Sequence, residues 1–172
     1  MGVLEKIFFR NYPNPAAGVS CDLDLSNKSL GPLALGAPSD QIIPLFGPPA
    51  SWWLMQKEKY FIYPGSGLAI EVFEQKVDGL VVAPREPQWI DFRKYINIFS
   101  PFPGSIIIKP GLSKNAAMID TGFIINNLGE PLKSDEDEEE IVLTFRGSGW
   151  EGDFEFCKDQ ILQCIRIWPA GS

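Results

Sequence analysis

The side chains that could do chemistry are mainly carboxylates, because the chain of 172 residues contains no histidine. Imidazole is the base of Ser-His-Asp and Cys-His catalysis and a ligand of HExxH zinc sites, so these mechanisms are excluded. Paired carboxylates can still act as acid and base on a sugar-like substrate, and Asp22 and Asp24 share one face of a predicted strand. A solvated strand face explains the same spacing, and we predict no catalytic residue.

Other residues that could bind a metal lack the spacing that a metal site needs. The acidic run from Asp135 to Glu140 has no EF-hand spacing and no central glycine, and is typical of a disordered, self-repelling loop. Cys21, Cys157 and Cys164 include no two-residue-spaced pair and cannot form a closed disulfide framework. We predict reduced thiols, with a Cys157–Cys164 bridge as the alternative for an exported chain, and neither metal nor cofactor.

The charge balance argues against nucleic acid as a ligand. The net charge is −7, from 22 acidic and 15 basic residues, and six of the acids lie in the single run. No lysine or arginine cluster offers a basic face for phosphates. No apolar stretch is long enough to span a bilayer, and the N-terminus MGVLEKIFFRNYPNP lacks the pattern of a secretory signal. We therefore expect a cytoplasmic protein that binds another protein.

Adjacent tryptophans at positions 52 and 53 provide candidate contacts for such a partner. Neighbouring residues of a strand point to opposite faces, so at least one ring is exposed or packs against another element. Exposed tryptophans are strong interface anchors. We hypothesise a partner site at Trp52, Trp53 and Met55, with Trp150 as a second candidate. Packing between two halves of the protein is the alternative for Trp52 and Trp53.

Arg10 and Arg93 occupy matching places among aromatic residues. A guanidinium stacked on tyrosine or phenylalanine and paired with a carboxylate of its own half is the simpler interpretation. Exposed and convergent arginines would instead indicate a site for an anionic ligand.

These candidate residues belong to a sequence that repeats itself. Four blocks recur in the same order with spacings of 82 to 84 residues, which predicts a tandem duplication with units 1–84 and 85–172. The Pro-rich stretch 84–87 is the predicted junction. The matched blocks are IFFRNYPN (7–14) with IDFRKYIN (90–97), IIPLFGPP (42–49) with IINNLGEP (124–131), YPGSGL (63–68) with FRGSGW (145–150), and IEVFEQKV (70–77) with FEFCKDQI (154–161).

Each unit is predicted to contain a strand, a short helix and a meander of strands. Ser39 and Asp120 are predicted helix caps, Gly47 and Gly129 are predicted helix ends, and Pro44 should shorten or distort the first helix. The two GSG segments predict turns rather than phosphate-binding loops, since strand-like residues follow them. Predicted strands cover 19–26, 60–63, 68–75, 80–83, 141–145, 150–157 and 161–168.

The fold class that follows is α+β, with a mostly antiparallel sheet and one or two short helices in each unit. Units of this size bury limited area alone, so we expect both to pack as one cooperative body. The copies differ most where WWLMQKE at 52–58 is replaced by SDEDEEE at 134–140.

This layout resembles two known families. The stretch SLGPLALGAPSDQIIPLFGPP at 29–49 is similar to the helix region of small outer-membrane assembly lipoproteins, in which LG(M/A)xxxxVxxLLGxP recurs. A helix followed by an antiparallel meander with an aromatic–GxG turn, present twice, resembles the tandem α/β layout of β-lactamase inhibitor proteins. The resemblance implies a binding scaffold with aromatic anchors on a concave sheet, and it transfers no inhibitory residue.

The predicted function is a non-enzymatic protein-binding module, of inhibitor or immunity type, that acts through an aromatic sheet surface. Two alternatives remain open, namely a carboxylate-based hydrolase of a sugar-like substrate and a structural subunit of a larger assembly.

Overall fold

The protein is described by a computed structural model that covers residues 21–49, 51–55, 58–85 and 100–171. Arg10, Arg93 and the matched blocks 7–14 and 90–97 lie outside the described residues. We refer to residues 21–85 as the first half and to residues 100–171 as the second half.

Both halves begin with two or three strands, continue through one helix and end in four further strands. The first half contains β1 (Leu23–Asp24), β2 (Ser29–Leu30), β3 (Leu33–Ala34), α1 (Ile42–Phe46), β4 (Ser51–Met55), β5 (Glu58–Tyr63), β6 (Leu68–Phe73) and β7 (Lys76–Val82). The second half contains β8 (Ser105–Lys109), β9 (Leu112–Asn115), α2 (Thr121–Leu128), β10 (Lys133–Glu136), β11 (Glu140–Gly147), β12 (Trp150–Cys157) and β13 (Leu162–Pro169).

The four strands after the helix of each half form one antiparallel sheet, which we call the large sheet. Its eight strands lie in the order β10-β11-β12-β13-β7-β6-β5-β4, so two four-stranded meanders meet at β13 and β7. At this central pair Ile165 lies opposite Val82 and Ile167 lies opposite Leu80. The last strand of each half therefore provides the contact between the meanders.

The strands before the helix of each half form a second, mixed sheet, which we call the small sheet. Its order is β3-β2-β1-β8-β9, and β1 runs parallel to β8 with Leu23 opposite Ile106. Both halves thus contribute to both sheets, which favours a single folded body.

The main hydrophobic core lies between one face of the large sheet, the small sheet and the two helices. Alternate residues of the central strands point into it, including Ile70, Leu80 and Ile167, all fully buried. Leu23 and Ile106 of the small sheet and Phe46 of α1 belong to the same cluster. Burial of each such side chain contributes roughly 1.5–3 kcal/mol.

The two helices begin differently. The Asp120 carboxylate accepts a hydrogen bond from the Phe123 amide at 2.7 Å, so the predicted cap of α2 is confirmed. The predicted cap at Ser39 is wrong, because a 3-10 turn over Ser39–Gln41 precedes α1 and no side-chain cap hydrogen bond is present. Gly47 and Gly129 end the helices at φ 76° and 87°, as predicted.

Pro44 lies inside α1, which has five residues, whereas α2 has eight. The missing amide and the clash with the preceding turn account for the short helix.

Several strand predictions are confirmed and two regions are corrected. The α+β class and the strands around the two GSG turns agree with the structure. Of the strand predicted over 19–26, positions 19 and 20 lie outside the described residues, and only Leu23–Asp24 of the remainder forms a regular strand. The acidic run is not a disordered loop, because Asp135 and Glu136 belong to β10 and a tight turn then leads to Glu140 in β11. All three cysteines are free thiols, so Cys157 and Cys164 are not bridged.

Candidate functional site

The face of the large sheet opposite the core, which we call the outer face, carries most of its polar side chains. On β13, Cys164, Arg166 and Trp168 alternate with the core residues Ile165 and Ile167. Strand alternation therefore places a thiol, a guanidinium and an indole on one surface.

An ion pair connects the two meanders across this face. Arg166 Nη2 donates to Glu71 Oε2 at 2.8 Å, and the side chains of Arg166 and Glu71 are 39% and 7% exposed. Gly79 lies opposite Glu71 in the register, and a Cβ there would be 2.8 Å from Glu71 Cδ. The missing side chain at Gly79 leaves room for the Glu71 carboxylate. Burial lowers the pKa of Arg166, but Glu71 outweighs this and raises it overall.

The Arg166 guanidinium also contacts an aromatic ring. Its Cζ lies 5.4 Å from the centroid of Trp168, which is half-buried. Glu151 lies opposite Trp168 and accepts a hydrogen bond from Arg146 Nε at 2.8 Å. Trp168 thus lies beside the Arg166 guanidinium and opposite Glu151, and tryptophan and arginine are residue types enriched at recognition surfaces.

A further polar pair extends the surface toward β11. Thr144 Oγ1 donates to Asp153 Oδ1 at 2.7 Å, and Asp153 lies opposite Arg166. The exposed part of the outer face therefore runs from Arg146 and Thr144 on β11 to Arg166 and Trp168 on β13.

The same face is apolar and buried toward the first half. A small cluster of residues there is at most 5% exposed: Ile62, Ala69, Val81, Ala83 and Cys164. Burial raises the pKa of the Cys164 thiol well above its usual value, which makes it a poor nucleophile at neutral pH. The partly exposed second half of the outer face is the better candidate for binding.

The predicted partner residues Trp52, Trp53 and Met55 all lie on β4, the strand that ends the large sheet. Their backbone register pairs Trp52 with Phe61, Trp53 with Tyr60 and Met55 with Glu58. The structure therefore brings the three positions to one sheet edge.

Trp150, the second candidate anchor, lies in the core and is 3% exposed. Its ring centroid is 6.4 Å from that of Phe154. A Cβ on Gly147 would overlap the indole, and one on Gly152 would lie 3.3 Å from it. The assignment of Trp150 as an exposed anchor is therefore corrected, because two glycines of the hairpin make room for the ring inside the protein.

The carboxylates considered for catalysis have structural roles. Asp22 Oδ1 accepts from the Ser105 amide at 2.8 Å, and Asp24 Oδ1 accepts from the Ser26 and Asn27 amides at 2.9 and 3.0 Å. Burial raises the pKa of Asp24, but the hydrogen bonds from Ser26 and Asn27 lower it overall. Both groups hold the backbone of the small sheet.

Sequence reasoning missed Arg166, Trp168 and Glu71 as members of one surface. A signal was present in QCIRIWP, where apolar residues alternate with a cysteine, an arginine and a tryptophan. Pairing of β13 with β7, which no local pattern specifies, brings Glu71 beside Arg166. Across the described ranges, no group of three or more Cys, Asp or Glu side chains is arranged to hold a metal ion, and no helix is long and apolar enough to cross a membrane.

Comparison with known proteins identifies similar folds. No family model matches the chain, and no curated protein matches it. A DUF4309 family protein, YjgB from Bacillus subtilis, is similar with a TM-score of 0.50 and 10% identity over 81% of this chain and 84% of that one. An extracellular protein containing an SCP domain from Bacillus anthracis is similar with a TM-score of 0.52 and 12% identity over 79% of this chain. The match spans 44% of that second protein, and at these identities the likeness concerns the fold alone.

Proposed function

We propose that the protein is a non-enzymatic binding module that recognises another protein through the outer face of the large sheet. The observation that carries this proposal is the half-buried Trp168 beside Arg166, flanked by the Arg146–Glu151 pair. Tryptophan and arginine are the residue types most enriched at interface hot spots, and polar pairs at the rim confer specificity.

The chemistry of this surface supports binding better than catalysis. Its carboxylates Glu71, Glu151 and Asp153 each accept a hydrogen bond from a neighbouring side chain. Cys164 has a raised pKa and is fully buried. Asp22 and Asp24, the carboxylates of the hydrolase alternative, accept hydrogen bonds from backbone amides of the small sheet and its turn, which supports a structural role for them.

Trp52, Trp53 and Met55 remain part of the proposal as a second contact region on β4. Tyr60 of β5 lies opposite Trp53 on one side and opposite Glu71 on the other. Position 53 of β4 is therefore aligned across the sheet with Glu71, the carboxylate that binds Arg166. An inhibitor or immunity-type role, acting by occlusion of the partner, fits a surface of this kind.

A duplication of one ancestral unit is also part of the proposal. In its support, each half has one helix followed by four strands, and the pairing of the last two strands shifts after Glu71 in one half and after Glu155 in the other. The matched blocks place Glu71 and Glu155 at equivalent positions. A crystal structure in which residues 58–82 and 140–169 fail to superimpose would contradict duplication.

The test of binding is capture of a partner from the native cell with three baits, namely the wild type, Trp168→Ser and Met118→Ser. Met118 is 68% exposed on a 3-10 turn away from the outer face, so its substitution is the matched control. We expect the partner to be lost with Trp168→Ser and retained with Met118→Ser, while the free energy of unfolding of both variants stays close to wild type. Equal recovery with all three baits would exclude the outer face.

Replacement of Trp52 and Trp53 by Ser tests the second contact region. A partner role predicts lost binding at unchanged stability. A packing role between the halves predicts a lower free energy of unfolding instead.

A further inference from the structure

The two edges of the large sheet differ in how they are protected. An edge strand presents unpaired backbone amides and carbonyls that can pair with another chain, and proteins usually blunt such edges with charge, proline or a bulge. β10, at one edge, has every residue exposed and carries Lys133, Asp135 and Glu136. Residues 133–140 contain six acids and one base, so two such edges carry the same net charge and repel, which protects this edge against self-association.

β4, at the other edge, has none of these protections. Its sequence SWWLM contains neither charge nor proline, and no strand among the described residues pairs with its outer side. Short segments of high β-propensity and no charge are the ones that pair with other strands most readily. Among the described strands, β4 is therefore the edge whose composition is best suited to pairing with another strand.

We propose that β4 pairs with β4 of a second copy of this chain. A two-fold axis beside two identical strands makes them antiparallel, so the same five residues of each copy meet and one sheet continues through both molecules. Because SWWLM has no charge, self-pairing brings no like charges together. Strand addition of this kind takes its affinity from main-chain hydrogen bonds.

The opposite edge is a poorer match for a further copy. In the dimer both free edges are β10, whose acidic residues also continue into the turn before β11. A third copy that offers its own β10 brings two acidic runs together, and one that offers β4 pairs an uncharged strand with a charged one, so we expect a dimer as the main species. This inference is independent of the proposed function, since it concerns the backbone edge of β4 and not the outer face around Trp168.

Sedimentation velocity over a wide concentration range tests the proposal. We expect a concentration-dependent species of twice the chain mass for the wild type. Leu54→Lys puts on β4 the kind of charge that protects natural edges and should abolish the dimer. Ser134→Lys is the matched control, because it adds the same charge to β10, and it should leave the dimer unchanged.

Hydrogen exchange of the wild type gives a second readout that does not depend on a variant. Those amides of residues 51–55 that point away from β5 should lose protection on dilution into the monomer range, while the amides of residues 133–136 should not change. A chain that stays monomeric at its highest soluble concentration would overturn the proposal. A dimer that persists in a folded Leu54→Lys variant, with unchanged exchange at residues 51–55 on dilution, would overturn it as well.

Discussion

The two halves of the protein follow the same order of elements but use different chemistry at corresponding places. The first half ends the large sheet with the uncharged strand β4, and the second half ends it with the charged strand β10. The strands that meet in the centre, β7 and β13, are both rich in buried residues. The two halves are therefore alike where their strands pack against each other in the centre of the sheet, and they differ at the edges, where few contacts constrain the sequence.

The helices show the same contrast on a smaller scale. Asp120 stabilises the start of α2 by a local hydrogen bond, whereas α1 has no such cap and contains Pro44. α1 depends instead on tertiary contacts, since Ile42 and Phe46 are buried and the Tyr63 hydroxyl donates to the Gly47 carbonyl at 2.9 Å. Burial raises the pKa of Tyr63, so this hydroxyl keeps its proton and remains a hydrogen-bond donor at neutral pH.

The largest loss of stability is expected for a substitution in the core of the second half. Phe154 is fully buried, and its ring packs edge to face with that of Phe145 at a centroid distance of 5.3 Å. Phe154→Ala should lower the free energy of unfolding by about 3–5 kcal/mol, because it removes apolar contacts and leaves a cavity. Denaturant unfolding followed by tryptophan fluorescence and by circular dichroism provides the measurement.

The matched change in the first half is Ile70→Ala, since the aligned blocks pair Ile70 with Phe154 and both side chains are fully buried. Ile70→Ala should lower the free energy of unfolding by about 2–5 kcal/mol. If the halves form one cooperative body, each variant moves a single transition that both probes report alike. Two separate transitions, with only one of them shifted, would contradict this expectation.

An intermediate effect is expected at the glycines of the two GSG turns. Gly147→Ala would drive a methyl group into the Trp150 indole, which is enclosed in the core, and should cost about 1–3 kcal/mol. Gly65 is the equivalent residue of the first turn and is exposed, so Gly65→Ala should change stability by less than about 0.5 kcal/mol. Thermal unfolding and the near-ultraviolet circular dichroism of Trp150 measure both; equal effects would mean that the indole imposes no constraint on Gly147.

A smaller effect is expected at the helix starts. Asp120→Ala removes the hydrogen bond to the Phe123 amide and should lower the free energy of unfolding by about 1 kcal/mol. Ser39→Ala, at the equivalent predicted cap, removes no cap hydrogen bond and should stay within about 0.5 kcal/mol of wild type. Urea unfolding measures the free energy of unfolding of both variants. A larger decrease for Ser39→Ala than for Asp120→Ala would contradict our interpretation of the two helix caps.

Sequence reasoning succeeded where local rules determine the structure. Gly47, Gly129 and the GSG segments end elements because glycine reaches positive φ without steric cost, and this depends only on neighbours in sequence. Asp120 was found for the same reason. The α+β class followed from a helical period followed by alternating strands.

It failed where tertiary contacts override a local preference. The start of the acidic run forms a strand because Asp135 and Glu136 pair with β11. Lys158 also pairs with Glu136, at 3.1 Å between Nζ and Oε1. Trp150 was predicted at a surface, since no rule of spacing reveals that Gly147 and Gly152 open a place for it. The contact between Arg166 and Glu71 joins residues 95 positions apart and needs the order of the large sheet.

The smallest change in stability is expected at Glu140, which follows the acidic turn between β10 and β11. Burial, followed by the carboxylates of Asp137 and Glu139, raises the pKa of Glu140 at the start of β11. The folded chain therefore binds this proton more tightly than the unfolded chain, so the unfavourable contribution of Glu140 is present at neutral pH and is relieved as the pH falls through the raised pKa. Glu140→Gln should raise the free energy of unfolding at neutral pH by less than about 0.5 kcal/mol.

The gain from Glu140→Gln should shrink as the pH approaches the ordinary range of a glutamate, because the wild-type side chain then becomes neutral as well. Glu130→Gln removes the same charge from an exposed residue outside the turn and serves as the control. Urea unfolding of both variants across the acidic range measures the difference between them. A gain from Glu140→Gln that does not vary with pH would mean that the charge of Glu140 is not the cause of the gain.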